Sequence, residues 1–183
     1  YVHNLADALP AEQVVVLAPP HKDDKKWDKK QKYKIIRKKL LFPKFIWPRW
    51  LRLCWHVRKI VHQENIEVIM VHHVLPVGYA GIINKKIRKI PFVLFSHGTD
   101  LVAGTASNWK KRMVTKVSEN AEQIIFNSES LKERYLKVLP QFENKSLVVY
   151  PCPDPDFLNK PSKEEVETLR TQYALQGKET MLS

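Results

Sequence analysis

The sequence predicts an α/β fold with a doubly wound, mostly parallel sheet of the Rossmann-like type and helices on both faces. Short apolar runs alternate along the chain with segments whose apolar residues recur every three or four positions. Uninterrupted apolar runs are typical of parallel strands covered on both faces. Strands that alternate with helices indicate βαβ units, and right-handed crossovers then place helices on both sides of the sheet.

The N-terminal part is predicted to supply the first two strands. A short helix over 2–9 precedes 14–17, whose four consecutive apolar residues indicate a buried strand. The segment 22–32 is predicted as a loop because charged residues dominate it. Residues 33–37 are predicted as a short edge strand.

An amphipathic helix leads to the third strand. Pro48 begins it, because a proline at the first helical position loses no hydrogen bond. Its apolar residues recur at spacings of three and four, and His56 is expected on the opposite, charged face. The apolar run 68–71 follows as the third strand. The apolar stripe of the helix comprises Trp50, Leu53, Cys54, Val57, Ile60 and Val61.

The second half of the domain is predicted as strict helix–strand alternation. Small residues near the start of its first helix permit close packing, and Ser128 stands where it can cap a helix. In chain order the elements are a helix over 76–86, a strand over 91–96, a helix over 109–121, a strand over 123–126, a helix over 131–139 and a strand over 147–150.

The chain changes character after residue 150. Three prolines within five residues stop regular structure, and a capping box at 162–165 begins a further helix that runs to about Leu175. We therefore expect a Rossmann-like domain over 1–157, with its first strand upstream of the given sequence. Residues 158–183 are expected to form a linker helix and the start of a second domain.

The positive charge of the chain is concentrated in one segment. Residues 21–60 hold 15 Lys and Arg against three Asp, which equals the net charge of +12 of the whole chain. The same segment contains four of the five tryptophans. This combination indicates a localised binding surface for an anionic partner.

Two cysteines, Cys54 and Cys152, do not form a disulfide framework, which favours a reducing, intracellular setting. Cys54 is expected to be part of the core. No apolar run approaches the length of a membrane span. We therefore expect a cytoplasmic protein.

Polar residues follow two of the predicted strands at the edge where parallel sheets bind ligands. His97, Gly98, Thr99 and Asp100 come directly after strand 91–96, and His72 and His73 come after strand 68–71. Four of the five glycines lie between positions 78 and 104, so backbone is expected to approach a ligand there. A capping Asp, a turn Gly and ordinary loop histidines are the alternative interpretation. The chain lacks a P-loop, a G-x-G-x-x-G, a G-x-S-x-G and the H-E-x-x-H or C-x-x-C spacings of zinc sites.

Four segments between residues 60 and 157 resemble, in the same order, motifs of the retaining glycosyltransferases of family 4. Glu67-Val-Ile-Met-Val-His72-His73 is similar to their Asp-Val-Ile-His-x-His strand. Pro91-Phe-Val-Leu-Phe-Ser-His97-Gly98-Thr99-Asp100 is similar to their Pro-x-Val-x-x-x-His-Gly-x-Asp segment. The other two are Asn120-Ala-Glu-Gln-Ile-Ile-Phe-Asn127-Ser128-Glu-Ser-Leu-Lys and Lys145-Ser-Leu-Val-Val-Tyr-Pro-Cys-Pro-Asp154-Pro-Asp156-Phe157. Glu67 and Pro153 depart from the family, which has Asp and Gly there.

The resemblance implies a GT-B fold of two Rossmann-like domains, with this chain as the N-terminal, acceptor-side one. The complete enzyme, of the hexosyltransferase type, would transfer a sugar from a nucleotide-sugar donor to a sugar or lipid-linked acceptor with retention at the anomeric carbon. A second domain would hold the nucleotide, so the isolated chain is expected to be inactive. No cofactor or metal is implied apart from the donor as co-substrate.

The resemblance also assigns roles to individual residues. His97 would contact the donor sugar and stabilise positive charge in the transition state, and Asp100 would orient the loop or a sugar hydroxyl. The substrate-binding residues would be Gly98, Thr99, His72, His73, Asn127 and Ser128. Asn127 and Ser128 stand at a strand end next to free helix N–H groups, which suit an anion or polyol, although Ser128 is also a plain N-cap candidate.

The basic segment 21–60, in which tryptophan and phenylalanine residues are interleaved with cations, admits three interpretations. We call it the basic, aromatic segment. Cations interleaved with aromatic rings suit the headgroup layer of an anionic membrane, to which the protein would attach peripherally. The alternatives are a nucleic-acid-binding α/β module using residues 21–60, disfavoured because no nucleic-acid motif accompanies the charge, and a solvated insert. For the chain as a whole, a stand-alone sugar- or nucleotide-binding domain is a third hypothesis, beside the glycosyltransferase half-domain and the nucleic-acid-binding module. The proposed membrane contacts are Lys38, Lys39, Phe42, Phe45, Trp47, Arg49 and Trp50.

Overall fold

A computed structural model describes residues 2–98, 104, 107–151, 159–175 and 177. The chain divides into two compact units, Tyr1–Pro151 and Cys152–Ser183. The first contains all the described strands, and the second contains one described helix. The loop prolines Pro153 and Pro155 lie outside the described residues, as do Cys152 and residues 178–183.

The strands are parallel throughout the described residues, which confirms the predicted Rossmann-like α/β class. β1 and β2 form one parallel pair, while β3, β4, β5 and β6 form a four-stranded sheet in that order. Their bounds are Val15–Ala18 (β1), Lys34–Arg37 (β2), Ile69–Val71 (β3), Phe92–Ser96 (β4), Gln123–Phe126 (β5) and Ser146–Val148 (β6).

The helices follow the predicted alternation, with one additional helix and several shifted ends. The segment 22–32, predicted as a loop, contains the short helix α2, and α3 begins at Leu51 rather than at Pro48. The helix predicted over 131–139 begins earlier, directly after the N-cap Ser128. The bounds are Val2–Asp7 (α1), Asp24–Asp28 (α2), Leu51–Gln63 (α3), Val77–Arg88 (α4), Asn108–Asn120 (α5), Glu129–Leu136 (α6) and Lys163–Gln172 (α7), with 3₁₀ turns at Ala11–Gln13 and Pro140–Lys145. The capping box predicted at the start of α7 is confirmed.

The main core lies between the four-stranded sheet and helices α4, α5 and α6. One face of the central strands is fully buried there, with Phe92, Leu94, Ile124 and Phe126 all at 0% exposure. The register aligns Leu94 with Ile124, so these side chains form a continuous layer. On the opposite face Phe95 is buried. The strand ends that follow this layer are therefore held by a closely packed core.

Helix α4 approaches the sheet closely because two of its residues are glycines. A Cβ placed on Gly81 would lie 2.7 Å from Cγ of Phe92, and one on Gly78 would overlap the side chain of Val117 in α5. The expectation that small residues permit close packing here is confirmed. The helix is thereby seated against both β4 and α5.

A second, smaller core joins α3 to α4. Leu53 and Cys54 pack with Ala80, and the ring of Trp50 lies 5.2 Å from that of Tyr79. Burial raises the pKa of the Cys54 thiol to about 11, so the thiol is protonated at neutral pH. This agrees with a packing role for Cys54.

The expected outward orientation of His56 on α3 is wrong. The residue is 7% exposed, whereas its neighbour Trp55 is 59% exposed. The segment before α3 covers the imidazole, because the backbone of Lys39 hydrogen-bonds to His56. Desolvation lowers the pKa of His56, and the nearby charges of Arg52 and Lys38 lower it further.

Candidate functional site

The carboxyl ends of β3, β4 and β5 lie side by side and carry the polar residues singled out in the sequence. Val71 aligns with Leu94, and Ser96 aligns with Phe126. His72, His97 and Asn127 are the residues that immediately follow these three strands. A parallel sheet therefore gathers side chains that are 25 to 30 residues apart in the chain onto one edge, which is where α/β folds bind their ligands.

His72 and His97 are brought into direct contact. The Nδ1 atom of His72 lies 3.0 Å from Nε2 of His97, within hydrogen-bonding distance. Both residues are partly buried, while His73 is exposed. The pair was not predicted, because sequence spacing places both histidines at the same edge without specifying how their rings meet.

The ring of His72 also contacts the ring of Phe95. The two rings lie 4.7 Å apart with planes inclined by 24°. The pKa of His72 is lowered from its usual 6.5 to about 4, mainly by desolvation and in smaller part by the charges of His97 and His73. His72 is therefore an uncharged imidazole at neutral pH.

Gly98 has a backbone conformation that favours glycine. Its φ is +131°, and a Cβ placed there would meet no atom of the described residues within 4 Å. The backbone angle is therefore sufficient reason for a glycine at this position. Thr99 and Asp100, which were predicted to bind substrate and to assist catalysis, lie outside the described residues.

Ser128 acts as the N-cap of α6. Its Oγ accepts a hydrogen bond from the backbone N–H of Leu131 at 3.3 Å. Asn127 and Ser128 are both half-buried at the end of β5. The capping role is thus established by the structure, whereas substrate binding by these two residues stays a prediction.

The basic, aromatic segment contains a loop closed by its own backbone. The N–H of Phe42 donates to the carbonyl of Arg49 at 2.9 Å, and Nε of Arg49 donates to the carbonyl of Phe42 at 2.9 Å. We call residues 42–49 the aromatic loop. Its tip presents Phe45 and Trp47, which are 85% and 83% exposed.

The seven residues predicted to contact a membrane differ in orientation. Lys38, Lys39, Phe45 and Trp47 are exposed. Phe42 and Arg49 close the loop, and Trp50 packs on Tyr79, so these three are partly buried. Only the first four are therefore available for contact without rearrangement.

A second cationic surface was missed by sequence reasoning. A cleft of about 630 Å³ along α5 and the end of α4 is lined by four cations and one acid, with Asn108, Thr115 and Asn120 between them. Composition hides it, because the chain outside 21–60 is neutral overall. The i, i+4 spacing of residues 108, 112 and 116 on one face of α5 is the signal that could have revealed it. The charged residues are Lys86, Lys111, Arg112, Lys116 and Glu119.

Within the described residues, no three or more His, Cys, Asp or Glu side chains are grouped so as to hold a metal ion. No helix in the same residues combines the length and apolar character needed to cross a membrane.

The burial of His72 predicts a loss of stability in mild acid. The unfolded chain takes up a proton near pH 6.5 while the folded chain resists it down to about pH 4, so stability is full above pH 6.5 and falls between these values. The shift corresponds to roughly 3 kcal/mol, and screening of the partly exposed ring reduces the expected loss to about 1–2 kcal/mol. Chemical denaturation of wild type and His72→Phe between pH 4 and 7.5 measures it.

The variant should show a flatter pH dependence than the wild type. His56 titrates with the same sign, so part of the dependence should remain. The exposed His62 provides the control, and His62→Asn should follow the wild-type curve. An equally steep fall in His72→Phe would show that another group is responsible.

Two solved structures from Anabaena share the fold of the chain. One is the Alr3699/HepE protein in complex with UDP and glucose, with a TM-score of 0.74 at 18% identity over 95% of this chain and 46% of that chain. The other is the same protein in complex with UDP, with a TM-score of 0.72 at 16% identity over 95% and 45%. The chain thus spans about half the length of the solved structures it matches.

None of the curated proteins is significantly similar in sequence to the chain. The family model described as Glycosyltransferase Family 4 matches residues 1–157, which include every strand and helix of the first unit. The match covers the His72–His97 edge and the aromatic loop alike. The chain therefore belongs to glycosyltransferase family 4.

Proposed function

We propose that the chain is the acceptor-side half of a retaining glycosyltransferase of the hexosyltransferase type. The observation that carries the proposal is the contact of His72 with His97 next to Gly98, at the ligand-binding edge of a family 4 domain. The reaction would move a sugar from a nucleotide-sugar donor to an acceptor hydroxyl. The bond from the anomeric carbon to the donor phosphate breaks, a bond to the acceptor oxygen forms on the same face, and the hydroxyl proton is released.

The donor class is supported by the solved relatives, whose crystals contain UDP, in one case with glucose. They are about twice as long as this chain, so a second domain can hold the diphosphate. On this proposal the second domain begins near the end of the given sequence. A first strand upstream would complete the N-terminal domain, in which β1–β2 is not hydrogen-bonded to β3–β6 among the described residues.

His97 is the proposed catalytic residue. Cleavage of a glycosidic phosphate bond develops positive charge on the sugar ring, and a fixed imidazole and backbone carbonyl stabilise that charge without reorganising. His97 follows β4, whose residues are almost completely buried, and it is bonded to a second ring. Asp100, Thr99 and His73 complete the proposed site. Asn127 and Ser128 are proposed to bind the substrate at the neighbouring strand end.

The aromatic loop is proposed to attach the enzyme to the surface of an anionic membrane. Phe45 and Trp47 are almost fully exposed, and Lys38 and Lys39 lie exposed just before the loop. Each basic residue near such a surface contributes about 1 kcal/mol, and the rings then insert at the headgroup boundary. Peripheral attachment on the cytoplasmic side would bring the active edge to a lipid-linked acceptor in polysaccharide or glycolipid synthesis.

The competing hypotheses lack comparable support. The family match accounts for the β–α order and the polar strand ends without nucleic acid. We therefore do not propose a nucleic-acid-binding module or a stand-alone binding domain.

Replacing His97 should impair transfer by the complete enzyme. His97→Ala removes one preorganised electrostatic contact, and kcat should fall about 10²-fold or more. Steady-state kinetics with His62→Ala as the matched control measure this, since His62 is an exposed histidine on α3. Turnover of His97→Ala at the wild-type rate would disprove the catalytic role. Proton NMR of the product should show the donor's anomeric configuration, and inversion would contradict the retaining mechanism.

The isolated chain should bind nucleotide-sugars weakly and transfer none. The cause is that the diphosphate is proposed to bind outside it. Titration calorimetry with common nucleotide-sugars should show no affinity tighter than about millimolar, a binding free energy near −4 kcal/mol. Micromolar binding would place the donor site within these residues.

The tip of the aromatic loop should determine membrane binding. Phe45→Ala and Trp47→Ala should each weaken binding to anionic liposomes about tenfold by removing an inserted ring. Trp109→Ala is the matched control, because Trp109 is 67% exposed but lies on α5. Co-sedimentation should also weaken with salt, since screening shortens the reach of each charge.

Neutral and anionic liposomes separate the outcomes of this experiment. An absence of binding to neutral and anionic liposomes alike would exclude the membrane anchor. Equal losses in the Trp109 variant would show that the loop has no special role. Tight, salt-sensitive binding to a DNA or RNA competitor would favour the nucleic-acid alternative.

A further inference from the structure

The rings of His72 and His97 meet edge to edge. The facing nitrogens are 3.0 Å apart, the ring centroids are 5.2 Å apart and the planes differ by 16°. The distance between the ring centroids exceeds the N···N distance by about two ring radii, one for each ring. Both nitrogens therefore lie close to the line that joins the two centroids. This is the geometry of an in-plane N–H···N hydrogen bond rather than of a face-to-face stack.

The ring of His72 packs against a buried aromatic residue. It lies 4.7 Å from the ring of Phe95, which is 5% exposed. Val71 and Val74, before and after His72 in the chain, are both 1% exposed. Contact with a buried ring in a buried stretch of chain restricts the orientation of the imidazole, so His72 can serve as a reference for a neighbour.

His97 stands between a buried strand and a glycine. It is the first residue after β4 and precedes Gly98, whose positive φ belongs to a region that glycine enters freely. Glycine loses more conformational freedom on folding than any other residue. A contact from a neighbouring side chain can therefore add to what holds the direction of the His97 ring at this junction.

We propose that His72 is a positioning residue that fixes the ring plane and direction of His97 through the Nδ1···Nε2 hydrogen bond. The inference rests on the proposed function, because it concerns the edge at which the donor sugar would bind. His72 need not touch the substrate. It acts through His97, and the two rings form one unit.

The shared hydrogen also couples the protonation of the two rings. In an N–H···N bond one nitrogen donates and the other accepts, so both facing nitrogens cannot carry a proton at once. Because the pKa of His72 is lowered to about 4, this ring is neutral at neutral pH, and its Nδ1 accepts in one tautomer and donates in the other. The tautomer of His97 therefore depends on His72. In the same way, the tautomer of a metal-binding histidine is set by the group that hydrogen-bonds to its other ring nitrogen.

A spectroscopic experiment on the ¹⁵N-labelled chain tests the pairing without reference to activity. A ¹⁵N–¹⁵N coupling across the hydrogen bond should join Nδ1 of His72 to Nε2 of His97 in the wild type. In His72→Phe, which keeps a ring against Phe95, the titration midpoint of His97 should move by about one pH unit. His62→Phe should leave it in place. Absence of the coupling together with an unchanged midpoint would overturn the proposal.

Kinetics of the complete enzyme test whether the pairing matters for transfer. His72→Phe should lower kcat about five- to tenfold, because without the hydrogen bond a smaller fraction of molecules holds the His97 ring in the productive orientation. KM should change less than about twofold. His72→Asn places an amide near the position of Nδ1 and should recover most of the rate. Equal losses in both variants, or a rise in KM alone, would refute positioning.

Two results distinguish this inference from the proposed function. A missing coupling in an enzyme that loses activity on His97→Ala refutes the inference and leaves the proposed function intact. A coupling that is present in an enzyme indifferent to His97→Ala refutes the catalytic role of His97 and the positioning role with it.

Discussion

The close seating of helix α4 is the constraint on which the other features depend. Gly81 lies against the ring of Phe92, and Gly78 lies against Val117 of α5, so no larger side chain fits at either position without displacement. A short loop that begins at His72 joins the end of β3 to the start of α4. The position of the helix therefore fixes the far end of this loop. The opposite side of α4 holds Ala80 and Tyr79 against α3, which carries the aromatic loop at its N-terminal end. The proposed catalytic edge and the proposed membrane surface are thus attached to the same helix.

Most of the sheet could be predicted because its strands are short, continuous apolar runs, and the bounds of β5 agree to the residue. The helix α2 was missed, because charged residues such as Lys25 and Lys26 give no apolar period to detect. His56 was misplaced because helical periodicity describes one helix in isolation. It cannot reveal a covering segment such as the one around Lys39, which depends on tertiary structure.

The candidate site was predicted in its parts and not in its arrangement. The positions of His72 and His97 at strand ends follow from the parallel topology. The glycine at position 98 was expected to let backbone approach a ligand, because it stands in the His-Gly-x-Asp segment. Their contact depends on the stagger between β3 and β4 and on two side-chain rotamers, which no sequence period encodes. The cationic cleft along α5 was hidden for a related reason, since Lys86 and residues 111–116 meet only in three dimensions.

The closure of the aromatic loop has a consequence for how such a protein can diversify. The reciprocal bonds between Phe42 and Arg49 close residues 43–48 into a loop at its base. Arg52 reinforces the base by resting over the ring of Phe42 at 5.8 Å. Because these contacts lie at the base, exchanging the exposed side chains of Phe45 and Trp47 should leave the loop closed. On the proposed function, a lineage could adapt the protein to a different lipid composition by altering the six residues 43–48, and an engineer could graft another sequence onto the same two anchor points.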